Sequence, residues 1–183
     1  GAIAEVMESK SDRFRAGEKE ALSESAQRGL DLFRGRAGCV SCHKETGPQG
    51  WPLFRDSDFH NNGISWMNED KRVTTVALNG LKIAPPEGRF LDEGRGRFLS
   101  GKERVRAFKT PSLRDVARHP PYMHDGSKAS LEDVVVHYAS GCGDDPDRDA
   151  RLKGFEASRR DLSDLVAFLE SLTSEERPGQ AKD

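Results

Sequence analysis

The sequence contains no long hydrophobic run. None of its 183 residues falls in a stretch that approaches the roughly eighteen apolar residues a bilayer-spanning helix needs. The first ten residues, GAIAEVMESK, also lack the charged start and apolar run of a secretion signal. We therefore expect a soluble chain with no membrane span, either mature or trimmed.

The sequence also has little excess of either charge. It has 29 basic and 31 acidic residues, which are interspersed and give a formal net charge of -2. Such a chain has no basic field that would attract a phosphate backbone, so nucleic acid is not an expected partner. Apolar residues make up only 34% and charged residues 33% of the chain, so a large prosthetic group could supply part of the interior. The length fits one domain.

Cysteine is scarce, and two of the three cysteines form a cluster. Cys39-Val40-Ser41-Cys42-His43 has the spacing for two thioethers to the vinyl groups of a haem, with the adjacent histidine as proximal iron ligand. A zinc site would need a second ligand pair, and a thioredoxin-like motif would need a strand before it. The cluster therefore predicts one covalent haem c. Haem c is attached outside the cytoplasm, so we expect a periplasmic protein.

The third cysteine stands alone. Cys142 is expected to be an ordinary buried or half-buried thiol, with pairing between two molecules as the alternative.

The motif does not fix the ligand on the other face of the iron. A strong sixth ligand makes an electron-transfer centre, whereas an open position lets peroxide or oxygen bind. Helical spacing favours Tyr138 over His137, which lies about 100° away from the apolar stripe of its helix. Methionine is the commoner ligand of haem c, which favours Met123. The remaining candidates are Met7, Met67, His60, His119 and His124.

Three helices are predicted from apolar spacing and from their N-caps. The caps are Ser23, Ser130 and Ser158, and the last two are followed at the third helical position by Asp133 and Asp161. The segment from Thr46 to Ser112 is dense in Gly, Pro, Asn and Asp but contains large apolar residues, which predicts packed loops. The predicted fold class is all-α, a cytochrome c-like haem domain with long ordered loops. We expect an N-terminal arm or linker at 1–22, this domain at 23–175 and a C-terminal tail at 176–183.

Five sequence blocks resemble one family, the bacterial di-haem cytochrome c peroxidases and their MauG-type relatives. The resemblance covers nearly the whole chain, and ordinary small cytochromes c do not have the middle blocks. The blocks are Ala26-Gln27-Arg28-Gly29-Leu30, Phe59-His60-Asn61, Phe108-Lys109-Thr110-Pro111-Ser112-Leu113-Arg114, Pro121-Tyr122-Met123-His124-Asp125-Gly126-Ser127 and Asp164-Leu165-Val166-Ala167-Phe168-Leu169.

The resemblance implies a role and a distal ligand. Family members hold two haem domains, and this sequence is similar to the C-terminal one, through which electrons enter and in which they are stored. In the family the distal ligand lies on the helix after the Pro-Tyr-x-His block, as methionine in the peroxidases and as tyrosine in MauG. Counting from Pro121, the matching position is Tyr138. The resemblance thus implies an electron-transfer domain with His43 and Tyr138 as iron ligands, whose partner is a redox protein or a second haem domain.

Two other functions stay open. One is a free-standing monohaem electron carrier with Met123 as distal ligand, and the other is a five-coordinate peroxidase. The peroxide-binding haem domain of the family has no counterpart in the sequence, so full peroxidase activity is not expected.

Further residues follow from the same resemblance and from their chemistry. The family binds calcium with backbone carbonyls near the position of Pro121 and of a threonine two residues earlier. The resemblance thus implies a possible calcium site, and the replacement of that threonine by His119 counts against its stability. His60, Lys109 and Arg114 could bind the haem propionates, which need charge-assisted partners when buried. A structural hydrogen bond for His60 and solvated charge for Lys109 and Arg114 are the alternatives.

Overall fold

The computed structural model describes residues 8–46, 52–67, 92–98 and 105–175, together with the backbone of 76–78 and 81–83. The α-helices of this part of the chain are α1 (Lys10–Arg15), α2 (Glu24–Arg34), α3 (Ile64–Met67), α4 (Leu131–Ala139) and α5 (Arg159–Glu170). Short 3-10 helices lie at Lys19–Ala21, Cys39–Ser41, Arg95–Arg97 and Val116–Arg118. The strands are β1 (Phe59–His60), β2 (Val76–Leu78), β3 (Leu81–Ile83) and β4 (Phe108–Lys109). Among the described residues, no helix combines the length and the apolarity needed to span a bilayer.

The strands form two small antiparallel sheets. β1 pairs with β4, so that Phe59 lies opposite Lys109 and His60 opposite Phe108, and β2 pairs with β3. The expectation of a purely all-α fold is therefore not confirmed, because the fold is helical with small antiparallel sheets. β1 and β4 have only two residues each and lie far apart in the sequence. Strands that short leave no alternating pattern to read, so their pairing depends on tertiary contacts.

The three predicted helix starts are confirmed. The hydroxyl groups of Ser23, Ser130 and Ser158 each accept a hydrogen bond from the backbone N–H of the third helical residue. At α4 and α5 the third residue, Asp133 or Asp161, accepts a hydrogen bond from the cap's backbone N–H in return, which completes a capping box. These interactions are local, which is why the sequence predicts them.

The core lies where α2 packs against α5, the most extensive helix contact of the described residues. A glycine makes this approach possible: a Cβ atom at Gly29 would lie 1.9 Å from the backbone oxygen of Asp164. An aromatic cluster lies at this contact, with ring centroids 5.1 to 6.3 Å apart. It consists of Phe33 of α2, Phe168 of α5 and Phe54, which lies in the loop between the cysteine motif and β1. All three rings are almost wholly buried. This cluster ties the chain around the cysteine motif to the helical core.

The chain is ordered earlier than the sequence analysis expected. Ser9 and Ser11, at the start of α1, are buried, and the backbone N–H of Ser11 donates to the carbonyl oxygen of Ser171 at 3.1 Å. The helix is short and its buried residues are polar, so apolar spacing could not reveal it. The first residues of this segment therefore pack against the chain at the end of α5, where Ser9 also pairs with Ser174, whereas the sequence predicted an arm or a linker. The domain boundaries stay a prediction, and the expected tail at 176–183 lies outside the described residues.

Candidate haem site

The Cys-x-x-Cys-His motif begins shortly after α2 ends. Cys39–Ser41 form a 3-10 helix, and the backbone N–H groups of Cys42 and His43 both donate to the carbonyl oxygen of Cys39, at 3.3 and 2.9 Å. Cys39 and Val40 also pack against the buried core. The motif is therefore one hydrogen-bonded turn attached to the α2–α5 core.

His43 is held by a backbone carbonyl. Its Nδ1 lies 2.9 Å from the oxygen of Phe54, so in the tautomer that donates this bond Nε2 is free to bind a metal. Burial lowers the pKa of His43, which favours the neutral ring that metals bind. Phe54 has a φ of 50°, a left-handed conformation that a non-glycine residue keeps only when its surroundings require it. The proximal ligand predicted from the motif thus has the support that metal-binding histidines generally have.

The environment of the two motif cysteines suits uncharged sulfur. Burial raises the pKa of the Cys39 thiol to about 12, and burial also raises the pKa of Cys42. A redox-active pair requires a thiolate, whose formation is favoured by a lowered pKa. Thioether sulfur has no charge to desolvate. The residues present therefore fit covalent haem attachment better than a redox-active cysteine pair.

Two of the candidate distal ligands, Tyr138 and Met123, contact the same asparagine. The side-chain amide nitrogen of Asn62 lies 3.3 Å from the hydroxyl oxygen of Tyr138 and 3.7 Å from the sulfur of Met123. Burial raises the pKa of Tyr138 to about 12; the hydrogen bond from Asn62 lowers it, and the nearby thiols of Cys142, Cys42 and Cys39 raise it again. Tyr138 is half-buried as a whole residue, and it is close enough to both motif cysteines to interact with them electrostatically.

His137 was expected to lie outside the apolar stripe of α4, but it is internal. Its side chain is buried, and Nε2 donates a hydrogen bond of 2.9 Å to the backbone oxygen of Asn62. The ring also packs edge-on against Tyr138. Burial with a hydrogen bond to a carbonyl satisfies the polar ring, so a polar residue next to the stripe can be internal.

His60 lies between two carboxylates. Its Nε2 is 2.8 Å from Asp56 and its Nδ1 is 2.8 Å from Asp149. The guanidinium group of Arg151 contacts the same edge of the ring and bonds Asp149, and these hydrogen bonds lower the pKa of Asp149. His60 therefore makes the structural hydrogen bonds that were predicted as its alternative role, and its contact with a haem propionate stays a prediction.

The same histidine is close to the motif. One ligand atom each from Cys42, Asp56 and His60 lie within 4.8 Å of one another, an arrangement that could hold a metal ion. A thioether at Cys42 would use the sulfur that this metal site needs. The two functions are therefore mutually exclusive at this position.

Lys109 and Arg114 lie in different settings. Lys109 is exposed on β4. Arg114 is largely buried and forms a two-pronged ion pair with Asp12 of α1, at 3.1 and 2.8 Å. A propionate contact for either residue stays a prediction.

The remaining predicted residues are placed as follows. His119 and Pro121 are exposed, and the calcium prediction is not tested by their positions. His124 stacks on Phe108 at 3.6 Å. Cys142 is fully buried, and burial raises the pKa of its thiol to about 12, in agreement with an ordinary buried cysteine.

Two features of the site were not found from the sequence. One is the pair of contacts that Asn62 makes with Tyr138 and His137, since a loop asparagine has no pattern that reveals its partners. The other is a buried ion pair, in which Arg106 bonds Asp145 at 2.8 and 2.5 Å and Asp147 at 2.8 Å. Asn61 donates to the same Asp145 at 2.8 Å. The pair joins the loop before β4 to the loop after α4.

Comparisons with known proteins identify homologues of the chain. No family model matches the chain. It is 40% identical over 164 residues to the methylamine utilization protein MauG of Methylorubrum extorquens, an alignment that covers 90% of this chain and 39% of that protein. It is 37% identical over 173 residues to the cytochrome-c peroxidase IdrP1 of Denitromonas iodatirespirans, covering 90% of this chain and 44% of that one. Over about 90% of its length the chain is homologous to MauG and the di-haem cytochrome c peroxidases.

Solved structures agree with this assignment. A crystal structure of a MauG-like protein associated with microbial copper homeostasis is 30% identical with a TM-score of 0.64, over 93% of this chain and 53% of that chain. The Y463M variant of the diheme peroxidase BthA from Burkholderia thailandensis is 22% identical with a TM-score of 0.60, over 91% of this chain and 45% of that chain, and shows the fold alone.

The homology to MauG and the peroxidases bears on the cofactor. The relatives named as cytochrome c peroxidases support haem c as the cofactor of this site. The chain spans less than half the length of these curated relatives.

Proposed function

We propose that this chain is a monohaem c-type electron-transfer domain, equivalent to the C-terminal haem domain of the MauG and di-haem peroxidase family. Cys39 and Cys42 would bind one haem through thioethers, and His43 and Tyr138 would be the axial ligands of its iron. Haem iron supplies a one-electron couple whose potential depends on its axial ligands and on their hydrogen bonds. The observation that supports this most directly is a Cys-x-x-Cys-His turn whose histidine is already oriented by the Phe54 carbonyl.

The proximal half of the proposal rests on rigidity. Phe54, which accepts the bond from His43, packs in the aromatic cluster with Phe33 and Phe168. A ligand fixed in this way does not need to reorganise when the charge on the metal changes, which favours rapid electron transfer.

The distal half rests on the raised pKa of the Tyr138 hydroxyl. A phenol with a pKa near 12 keeps its proton unless a positive charge stabilises the phenolate. A haem iron in the ferric state would be such a charge. Phenolate ligation would in turn stabilise the ferric form, because an anionic ligand offsets its greater positive charge.

One observation favours a second candidate. The sulfur of Met123 lies 3.7 Å from the same Asn62 amide that contacts Tyr138, so both side chains are at one side of the site. A free-standing electron carrier with Met123 as distal ligand is therefore the alternative. The five-coordinate peroxidase remains as an outcome of the test below.

The partner and the location belong to the same proposal. A domain that stores one electron needs a protein that delivers or accepts it, and a second haem domain or a separate redox protein would do so. Covalent haem attachment implies the periplasm.

Spectra of the purified protein and two variants test the axial ligands. The protein, produced with a haem-attachment system, should give the absorption and electron paramagnetic resonance spectra of low-spin ferric haem. Tyr138→Phe should convert this signal to high spin or to another ligand set, because the phenol oxygen is gone. Met123→Leu is the matched control and should leave the spectra unchanged.

The alternatives give different results. A far-red methionine-to-iron band that survives Tyr138→Phe and disappears in Met123→Leu would establish the electron carrier with Met123. High-spin iron in the unaltered protein, together with consumption of peroxide, would establish the five-coordinate peroxidase.

A further inference from the structure

Asn62 connects the distal helix to the loop that follows β1. Its backbone oxygen accepts the hydrogen bond from His137 at 2.9 Å, and its side-chain nitrogen donates to Tyr138 at 3.3 Å. Its side-chain oxygen accepts from the backbone N–H of Ile64 at 3.4 Å. One residue thus contacts two successive side chains of α4 while its own amide is oriented by the start of α3.

Residues on both sides of Asn62 are fixed. Asn61 is buried and bonded to Asp145, and its side-chain oxygen accepts from the backbone N–H of Gly63 at 2.9 Å. Gly63 has a φ of 75°, and a Cβ atom there would lie 2.1 Å from the backbone oxygen of Cys142. The loop therefore packs directly on the turn after α4, and the Asn62 amide has little freedom to move away from Tyr138.

We propose that Asn62 is a positioning residue for the distal face: its side-chain amide donates to the Tyr138 oxygen, fixes the orientation of that oxygen and withdraws negative charge from it. This inference rests on the proposed function, in which Tyr138 is an iron ligand. The amide has two hydrogens, and the second points to a competing acceptor, the sulfur of Met123 at 3.7 Å. Nitrogen-to-oxygen bonds of this type are stronger than contacts to thioether sulfur, so the contact favours tyrosine over methionine.

The expected effect has a definite sign. A hydrogen bond donated to a phenolate removes charge from it, which weakens its stabilisation of ferric iron. Loss of the donor should therefore favour the ferric form and lower the reduction potential. Hydrogen bonds to charged groups change an equilibrium by about tenfold or more, and tenfold corresponds to about 59 mV for a one-electron couple.

The experiment measures the potential of the haem-loaded protein by spectroelectrochemistry. Asn62→Leu, close in size but without a donor, should lower the reduction potential. At a fixed applied potential the ferric-to-ferrous ratio should rise about tenfold, and the low-spin resonance spectrum should shift. The same substitution in a Tyr138→Phe background should have no such effect. Asn62→Gln, which keeps the amide, should give a smaller shift than Asn62→Leu. If Asn62→Leu does not fold, Asn62→Ala replaces it.

Several results would overturn the inference. An unchanged potential in the Asn62 variant would do so, and so would an equal shift in the Tyr138→Phe background, which would indicate a general effect of the loop. Failure of the proposed function is recognised separately: Tyr138→Phe would then leave the spectra of the protein unaltered, whatever the Asn62 variants do.

Discussion

Replacing Gly29 by alanine should destabilise the protein, although the same change in most helices stabilises it. Alanine has a helix propensity about 1 kcal/mol better than glycine. Here, however, the added Cβ would lie 1.9 Å from the Asp164 oxygen, 2.6 Å from its carbonyl carbon and 2.8 Å from the Cβ atom of Phe168. Two of these atoms are backbone, so a rotamer change cannot relieve the overlap. The helices must move apart at the centre of the core.

The magnitude follows from these two opposing terms. Overpacking of a rigid core costs about 3 kcal/mol at the upper end of its usual range. Subtracting the propensity gain of about 1 kcal/mol leaves a net loss of about 2 kcal/mol in the free energy of unfolding. For a urea m-value of about 2 kcal/mol per molar, the midpoint should fall by about 1 M.

Urea unfolding of the haem-loaded protein, followed by far-ultraviolet circular dichroism, measures this change. Asp31→Ala, on the exposed side of the same helix, is the control and should be neutral or slightly stabilising. A Gly29→Ala protein as stable as the unaltered one would refute the close approach of α2 and α5.

The remaining predictions concern the buried ion pair. Arg106→Leu should lower the free energy of unfolding by about 3 kcal/mol, because it leaves a buried carboxylate without its cation; the Asp145 side chain has no solvent exposure and that of Arg106 only 7%. Asp147→Asn, which changes the more exposed partner, should have a much smaller effect, and equal losses would contradict the assignment. Burial raises the pKa of Asp145, but the hydrogen bonds from Arg106 and Asn61 outweigh it, and the pKa is lowered from 3.8. A carboxyl group with a lowered pKa stabilises the fold above its unfolded value and loses that contribution as the pH falls through the folded value. The loss in free energy of unfolding caused by Arg106→Leu should therefore shrink when unfolding is measured below pH 3.8. A loss that is constant with pH would argue against the ion pair with Asp145.

The helix starts and the haem motif could be predicted because their determinants are close together in sequence. The capping boxes at Ser130 and Ser158 each span only four consecutive residues, and the Cys39–His43 motif only five. The family resemblance extended this to a distal position, Tyr138, which is half-buried and lies within electrostatic reach of both motif cysteines.

The parts that were missed depend on contacts between distant segments. α1 buries serine rather than apolar residues, so its packing on the end of α5 gives no hydrophobic period. His137 is internal because a carbonyl from the loop after β1 satisfies its ring, and Asn62 acquires its role from the same encounter. Neither partner can be identified until the fold brings the loop and α4 together.

Covalent attachment of haem to the cysteine motif is the claim that supports every other conclusion. The direct measurement is the intact mass of the polypeptide, produced with a haem-attachment system and washed with acidified acetone. The account predicts a chain heavier by one haem, whose colour stays with the protein, and loss of that added mass in a Cys39→Ala, Cys42→Ala variant. An unmodified mass, or pigment that passes into the acetone, would contradict it.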